Sequence, residues 1–384
     1  MQFPAPTDMD LAIGYKGQIV SCEDALLVPW GDDRDQQICH VTDPKTGRLI
    51  FRHINLCDLP QNEYAARSLN GPRERLRGTY ILAGYLSAHL GHCLVGTISS
   101  LWPLSQLEGQ IDGIVSFRIT ASPRQVEDRN EAAVAEILRS LGIHLPIFTV
   151  RQPTQVDRLI LAEKGIGSYK LARGSSYYHR FMRQRLSLSD EELGKKARTK
   201  LYITRSQLQV QRRGIVGEAA IDRTFAAAGY EVVAPEKLPL SEQIAKYQTA
   251  DAIVGLDGTP FHLIPSVCPT DAKIAIIRRR FAKSQNLDGV DFAGQFEAAT
   301  GTAPTDIDCI NGEWRPVETA KASPHIAVLD FEKVYQGLVA GGFLDTTSEL
   351  HFPSSEEIQS QLDEAAIRIG AGYEFVDFRF SDVA

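Results

Sequence analysis

The stretch KLYITRSQLQVQRRGIVGE, residues 200–218, decides how this chain is read. A compact apolar run, Leu201-Tyr202-Ile203, ends abruptly in Thr204, Arg205 and Ser206. Arg212 and Arg213 follow, and then a helix opens. The run predicts a strand. Guanidinium groups and hydroxyls then stand at its carboxyl end and at the mouth of a helix, which is the ligand-binding edge of an open α/β sheet. Arginine's planar fork takes phosphate oxygens two at a time. The segment therefore predicts a phosphorylated ligand, foremost a diphosphate. The competing reading is an exposed basic turn, since residues 164–213 are rich in Lys and Arg and most charge runs are solvated faces.

The flanks repeat a strand–helix alternation. A helix is expected at about 215–228, with Ile221, Phe225 and Ala228 on one face and Gly229 at its end. Strands are expected at 230–234, 251–255 and 273–277, with a helix from Ser241 between the first two. Upstream, strands are expected at 79–85, 111–119, 146–150 and 158–161. The apolar spacing of Val134, Ile137, Leu138 and Leu141 marks a helix over 125–141. Such alternation predicts parallel sheets, here in two nucleotide-binding-type halves. Residues 1–75 read as short strands with a turn at 42–48, 69–78 as a loop or linker, and 284–316 as loop-rich. Ser354 and Glu357 read as a capping box for a helix burying Ile358, Leu362, Ala365 and Ile369.

Composition narrows the class. A chain of 384 residues is too long for one ordinary core. Its net charge of −7 argues against nucleic-acid binding through bulk charge. The six scattered cysteines form no CxxC pair and read as free thiols in a reducing compartment. The N-terminus lacks a signal-peptide pattern, and no apolar run reaches the ~18 residues of a membrane span. The expectation is a cytoplasmic enzyme, peripheral to the inner face of a membrane.

Three constellations carry chemistry. The first is Gly91-His92, whose imidazole can hydrogen-bond a ligand near neutral pH. The second is Arg205, with Ser206 and either Arg212 or Arg213 as phosphate partners. The third is the turn Gly255-Leu256-Asp257-Gly258-Thr259-Pro260-Phe261-His262, directly after a strand. Its glycines admit close backbone approach, amides near Thr259 can meet an anion, Asp257 is a candidate base and His262 a polar contact. Gln243 sits on the preceding helix, within reach of the same edge. No metal-ligand set, P-loop, zincin or esterase-elbow motif occurs.

In this order the segments resemble the family 61 glycosyltransferases, in particular bacterial capsular polysaccharide biosynthesis proteins. The resemblance covers about 80–280. It rests on Gly91-His92-Cys93-Leu94, Tyr202-Ile203-Thr204-Arg205, Arg212-Arg213 with Glu218, Gly229-Tyr230, Leu240-Ser241-Glu242-Gln243-Ile244, and Ile253-Val254-Gly255 with Gly258. It implies a GT-B-like α/β fold of two Rossmann-type domains with a donor cleft between them. The expected division is a β-rich elaboration at 1–75, an acceptor-side domain at 76–165, a nucleotide-sugar domain at 166–280 and a C-terminal extension at 281–384.

The resemblance also implies an inverting transfer from a nucleoside-diphosphate sugar to a glycan or lipid-linked glycan. No cofactor or metal is implied, and an oligomer is compatible with it. Arg205, Ser206, Arg212, Arg213, Glu218, Gln243, Gly255, Gly258, Thr259 and His262 would bind the sugar nucleotide, and Asp257 or His92 would be the base. The sequence departs from the family pattern at four places: Gly96 for an acid, Gly217 for asparagine, Asp257 for histidine and Leu263 for asparagine. The departures motivate an alternative, a catalytically altered homologue that binds sugar nucleotide or glycan within a polysaccharide assembly.

Overall fold

The computed structural model describes residues 4–29, 39–42, 49–53, 74–117, 124–209, 214–280, 290–317 and 325–378. The fold is mixed α/β, and the chain divides into two compact units: 1–186 with 289–299, and 187–288 with 300–384.

The first unit holds seven strands: β1 Ile19–Val28, β2 Cys39–Thr42, β3 Leu49–His53, β4 Glu74–Tyr85, β5 Gly113–Phe117, β6 Ile147–Val150 and β7 Thr154–Ala162. They form one sheet in the order β3-β2-β1-β7-β4-β5-β6. β4 to β7 are mutually parallel, whereas β1 joins β7 antiparallel from Ile19 opposite Ala162 to Leu27 opposite Thr154. The N-terminal strands thus continue the sheet. The part of the expected linker that is described, residues 74–78, opens β4 instead. Its charges are spent across strands: Arg75 pairs with Asp24 and Asp157, so a polar sequence still serves as a strand. Residues 43–48 of the expected turn lie outside the described residues. Leu27, Val41, Leu82, Val115, Phe117 and Val156 form the core, and the helix Arg124–Ser140 buries Val134, Ile137 and Leu138 as its spacing requires.

The second unit holds β8 Thr199–Ile203, β9 Glu231–Val233, β10 Ala250–Leu256, β11 Lys273–Ile277 and β12 Thr305–Ile307, in the order β12-β11-β10-β8-β9. All four pairings are parallel. β10 is buried at six of its seven positions, the near-continuous apolar run of a parallel strand covered on both faces. From β8 the chain steps outward to β9 and returns to the opposite side for β10. This reversal makes a topological switch point between β8 and β10.

The helix Glu218–Ala227, between β8 and β9, buries Ala220, Ile221 and Phe225. It closes on Gly229 at φ 79°, with the Gly229 amide donating to the Ala226 carbonyl and the Tyr230 amide to the Phe225 carbonyl. Glycine, having no Cβ, adopts that left-handed position at the least cost. Phe225 stacks on Tyr202 at 4.6 Å and meets the Tyr230 edge at 4.8 Å. Phe225→Ala should therefore cost about 3–5 kcal/mol. Urea denaturation would read this as a lowered midpoint at unchanged slope.

The expected loop-rich stretch 284–316 instead contains the helix Phe292–Thr300, β12, and β13 Ile310–Pro316. β13 is the middle of a three-stranded sheet, between β14 Ile326–Leu329 and β15 Tyr373–Asp377. Its partners are far along the chain, and its own sequence lacks apolar alternation, so pairing decides it. The helix Ser355–Ile369, capped by Ser354, packs Leu362 and Ala365 against Val216 and Ile326. Among the described residues no helix is long and apolar enough to cross a membrane.

Candidate functional site

The second unit brings three strand ends together. Arg205 follows β8 by two residues, Asp257 and Gly258 follow β10, and Arg278-Arg279-Arg280 follow β11. They lie at the carboxyl edge of the sheet, around the switch point. Arg205 is half-buried, and desolvation pulls its pKa below the ordinary value while Glu218 and Asp257 oppose that shift. A guanidinium group nonetheless stays charged in a protein. Its Nη1 lies 2.9 Å from where a Cβ on Gly258 would sit. Gly258 therefore makes room for the guanidinium.

Asp257 is the counter-ion of the two arginines after β11. Its Oδ1 accepts from the Arg279 amide at 3.3 Å and lies 3.1 Å from Arg279 Nε. Arg279 Nε also donates to the Asp257 carbonyl at 2.6 Å. Oδ2 accepts from Arg280 Nε at 3.1 Å. Both carboxylate oxygens of Asp257 are thus taken up by amide and guanidinium donors. This assigns Asp257 to charge pairing rather than to the free base expected from sequence. Arg279 and Arg280 escaped the sequence reading. Their signal was an arginine run directly after an apolar strand, the same pattern that singled out Arg205.

Glu218 lies beneath Arg205. It opens the helix Glu218–Ala227 at 1% exposure, and its Oε1 accepts from the Arg205 amide at 2.8 Å and from Tyr202 Oη at 3.3 Å. Oε2 is buried and makes no hydrogen bond among the described residues. Burial, reinforced by nearby Asp222, pushes the Glu218 carboxyl up to about 8, against the opposing bond from the Arg205 amide. Ser206 donates to Asp222 Oδ2 at 2.5 Å and accepts from Thr204 Oγ1 at 2.9 Å, which ties the turn after β8 to the same helix.

The other expected residues divide. Gln243 donates to the carbonyls of Pro235 and Leu238, at 2.8 and 3.0 Å, so its amide holds the preceding turn. Gly255 serves packing, because a Cβ there would meet the Ile203 carbonyl at 2.8 Å. Thr259 precedes the one-turn helix Pro260–Leu263 without capping it, and His262 sits half-buried on that turn. Arg212 and Arg213 lie outside the described residues.

His92 belongs to the first unit. It is exposed at the end of the turn Leu90–His92, its amide donates to His89 Nδ1 at 3.4 Å, and the two rings are 4.6 Å apart. A π-helical turn, Cys93–Thr97, follows directly. Such turns interrupt ordinary helices and recur at functional positions. Among the described residues no group of His, Cys, Asp and Glu could hold a metal ion.

Two of the departures have packing reasons. Gly217 adopts φ 78°, and Pro353 Cβ lies 2.7 Å from where its own Cβ would be. Asparagine tolerates the same left-handed backbone, so the segment around Pro353 is what selects glycine. At Gly96 the Tyr85 ring comes within 3.3 Å of the corresponding point.

No curated protein matches the chain. Among solved structures, the bacterial iron-containing dodecameric glycosyltransferase TibC from enterotoxigenic E. coli H10407 is similar at 11% identity and a TM-score of 0.28, over 68% of this chain and 77% of that one. The dodecameric iron-containing heptosyltransferase TibC in complex with ADP-D-beta-D-heptose is similar at 10% identity and a TM-score of 0.29, over 84% of this chain and 87% of that one. The family model Glycosyltransferase 61 matches residues 90–275, a span that takes in His92, Arg205, Glu218 and Asp257 and stops short of Arg278. By that match residues 90–275 of the chain are a glycosyltransferase 61 segment.

Proposed function

We propose that the protein transfers a sugar, with inversion, from a nucleoside-diphosphate sugar to a hydroxyl of a glycan or lipid-linked glycan, in surface polysaccharide synthesis on the cytoplasmic side of a membrane. The single observation carrying this reading is Arg205, half-buried at the switch-point end of β8 with its guanidinium over Gly258. That position receives phosphates in open α/β sheets. In the proposed reaction the acceptor oxygen bonds to the anomeric carbon as the bond from that carbon to the diphosphate oxygen breaks. The hydroxyl proton passes to a base, and the electron pair leaves with the nucleoside diphosphate. Arg205 stabilises the charge that grows on the diphosphate, the fixed-charge assistance that contributes most when the group is preorganised. The proposal names no cofactor or metal. His92 is the remaining candidate for the base, and the GT-B-like pairing of two Rossmann-type domains belongs to the same proposal.

One observation favours a second reading. Asp257, where the family pattern has histidine, is occupied as a counter-ion. A homologue that binds sugar nucleotide without transferring sugar would look the same. Incubation with UDP-, GDP-, ADP- and CMP-sugars separates the two. Release of nucleotide, or transfer to an added glycan, supports the transferase; binding without either supports the second reading; no binding to any of them rejects both.

A further inference from the structure

We propose that Arg279 is a second diphosphate-binding residue, held in position by Asp257 and acting beside Arg205. This inference rests on reading the crevice as a sugar-nucleotide site and names the group within it that takes the second phosphate.

A guanidinium group carries five N–H bonds. Arg279 spends Nε on the Asp257 carbonyl and carboxylate. Among the described residues its two Nη groups, with four N–H bonds, make no hydrogen bond. Packing fixes their place: Arg279 Nη1 lies 2.6 Å from where a Cβ on Gly214 would sit, and Gly214 has φ 88°. Arg205 is seated the same way over Gly258. Each guanidinium thus rests on a glycine, at the ends of two strands that flank β10.

Charge points the same way. Three guanidinium groups stand beside two carboxyls, because Arg205, Arg279 and Arg280 all face Asp257 and the first two also face Glu218. Arg279 is 13% exposed and Arg280 19%, so little water screens the excess. Positive charge in excess in a half-buried crevice calls for a ligand that brings negative charges. A diphosphate supplies them, and the Nη groups of Arg279 offer paired donors for one of its phosphates. Arg278, by contrast, turns to Asp306 and Asp308 and is 43% exposed. It makes a control on the same three-residue run. The position that departs from histidine to Asp257 therefore gains a cation from the neighbouring strand.

Calorimetric titration with inorganic pyrophosphate and inorganic phosphate tests the assignment without knowledge of the nucleotide. The wild-type protein should bind pyrophosphate more tightly than phosphate. Arg279→Ala should weaken pyrophosphate binding at least tenfold, and Arg278→Ala should leave it within twofold. Arg279→Lys keeps the cation beside Asp257 but loses the fork, so it should still weaken binding several-fold if the alanine variant does not fold. Wild-type protein that ignores pyrophosphate, or Arg279 variants that bind it as wild type does, would overturn the proposal. The two readings fail separately. Sugar-nucleotide turnover that persists unchanged in Arg279→Lys rejects this assignment and leaves the transferase standing. Arg279-dependent pyrophosphate binding without turnover of any sugar nucleotide supports it and rejects the transferase.

Discussion

Arg205→Ala will lower kcat/KM for the sugar nucleotide by about 10²–10³, the loss that follows removal of one preorganised donor from a developing negative charge. The effect should fall mainly on kcat. A diphosphate in the bound donor already carries charge, but it gains more as the bond to the anomeric carbon breaks, and only the gain counts toward rate. Arg205 is placed for that role by features its own side chain does not supply. Its amide is pinned by Glu218, and its guanidinium has room because residue 258 is glycine. The alanine variant keeps the backbone bond to Glu218, so the fold should survive and the kinetic loss can be read as chemistry. Arg205→Lys should recover only part of the loss, since an ammonium is a point charge and cannot present two parallel donors. Steady-state kinetics of both variants with the donor found by the nucleotide screen checks this. Alanine kinetics within twofold of wild type would remove Arg205 from the site.

The sequence made this region legible because its elements are local. Leu201-Tyr202-Ile203 is apolar and short, and Gly229 ends a helix where the spacing says it should. Arg205 could be chosen because it follows a strand. Arg279 and Arg280 also follow an apolar strand, but they fall beyond the segments that give the resemblance its order. Roles were harder to read than places. Asp257 looked like a base in a turn, and nothing nearby in sequence announces the two arginines that neutralise it from the end of β11. Gln243 likewise reads from sequence as a ligand contact on its helix, but it is buried and holds the turn at Pro235–Leu238. In both cases a partner from outside the motif decides what the side chain does. The segment 310–316 fails for a related reason: its strand character comes from pairing with 326–329 and 373–377, and isolated propensity does not report that.

Glu218→Gln will abolish a pH dependence of stability that the wild-type chain shows between about pH 5 and 8. The sign follows from where the proton sits. In the folded chain burial raises the Glu218 carboxyl from its ordinary 4.5 to about 8, whereas the unfolded chain restores the ordinary value. Between those values the folded state holds a proton that the unfolded state releases. Unfolding free energy therefore falls as pH rises. The stabilising contribution is complete below about 4.5 and is lost as pH rises through about 8. The shift allows at most ~5 kcal/mol at 1.36 kcal/mol per unit, and water entering beside the ionised carboxylate should hold the observed loss to about 1–3 kcal/mol.

Glutamine keeps an oxygen to accept from the Arg205 amide and Tyr202 but cannot ionise. Its amide nitrogen would replace Oε2, which has no partner to offer it. The protonated carboxyl of the wild type already places an O–H at that point without a partner, so the exchange changes little while Glu218 is neutral. The variant should be about as stable as wild type at pH 5 and the more stable protein at pH 9. Asp222, Arg205 and Arg279 face the same carboxyl and are present in both proteins, so the difference between the two curves isolates Glu218. Urea midpoints measured across this range should separate as pH rises, with the wild type falling below the variant. Parallel curves would show that Glu218 is already ionised in the folded protein and that Arg205 neutralises it across the whole range.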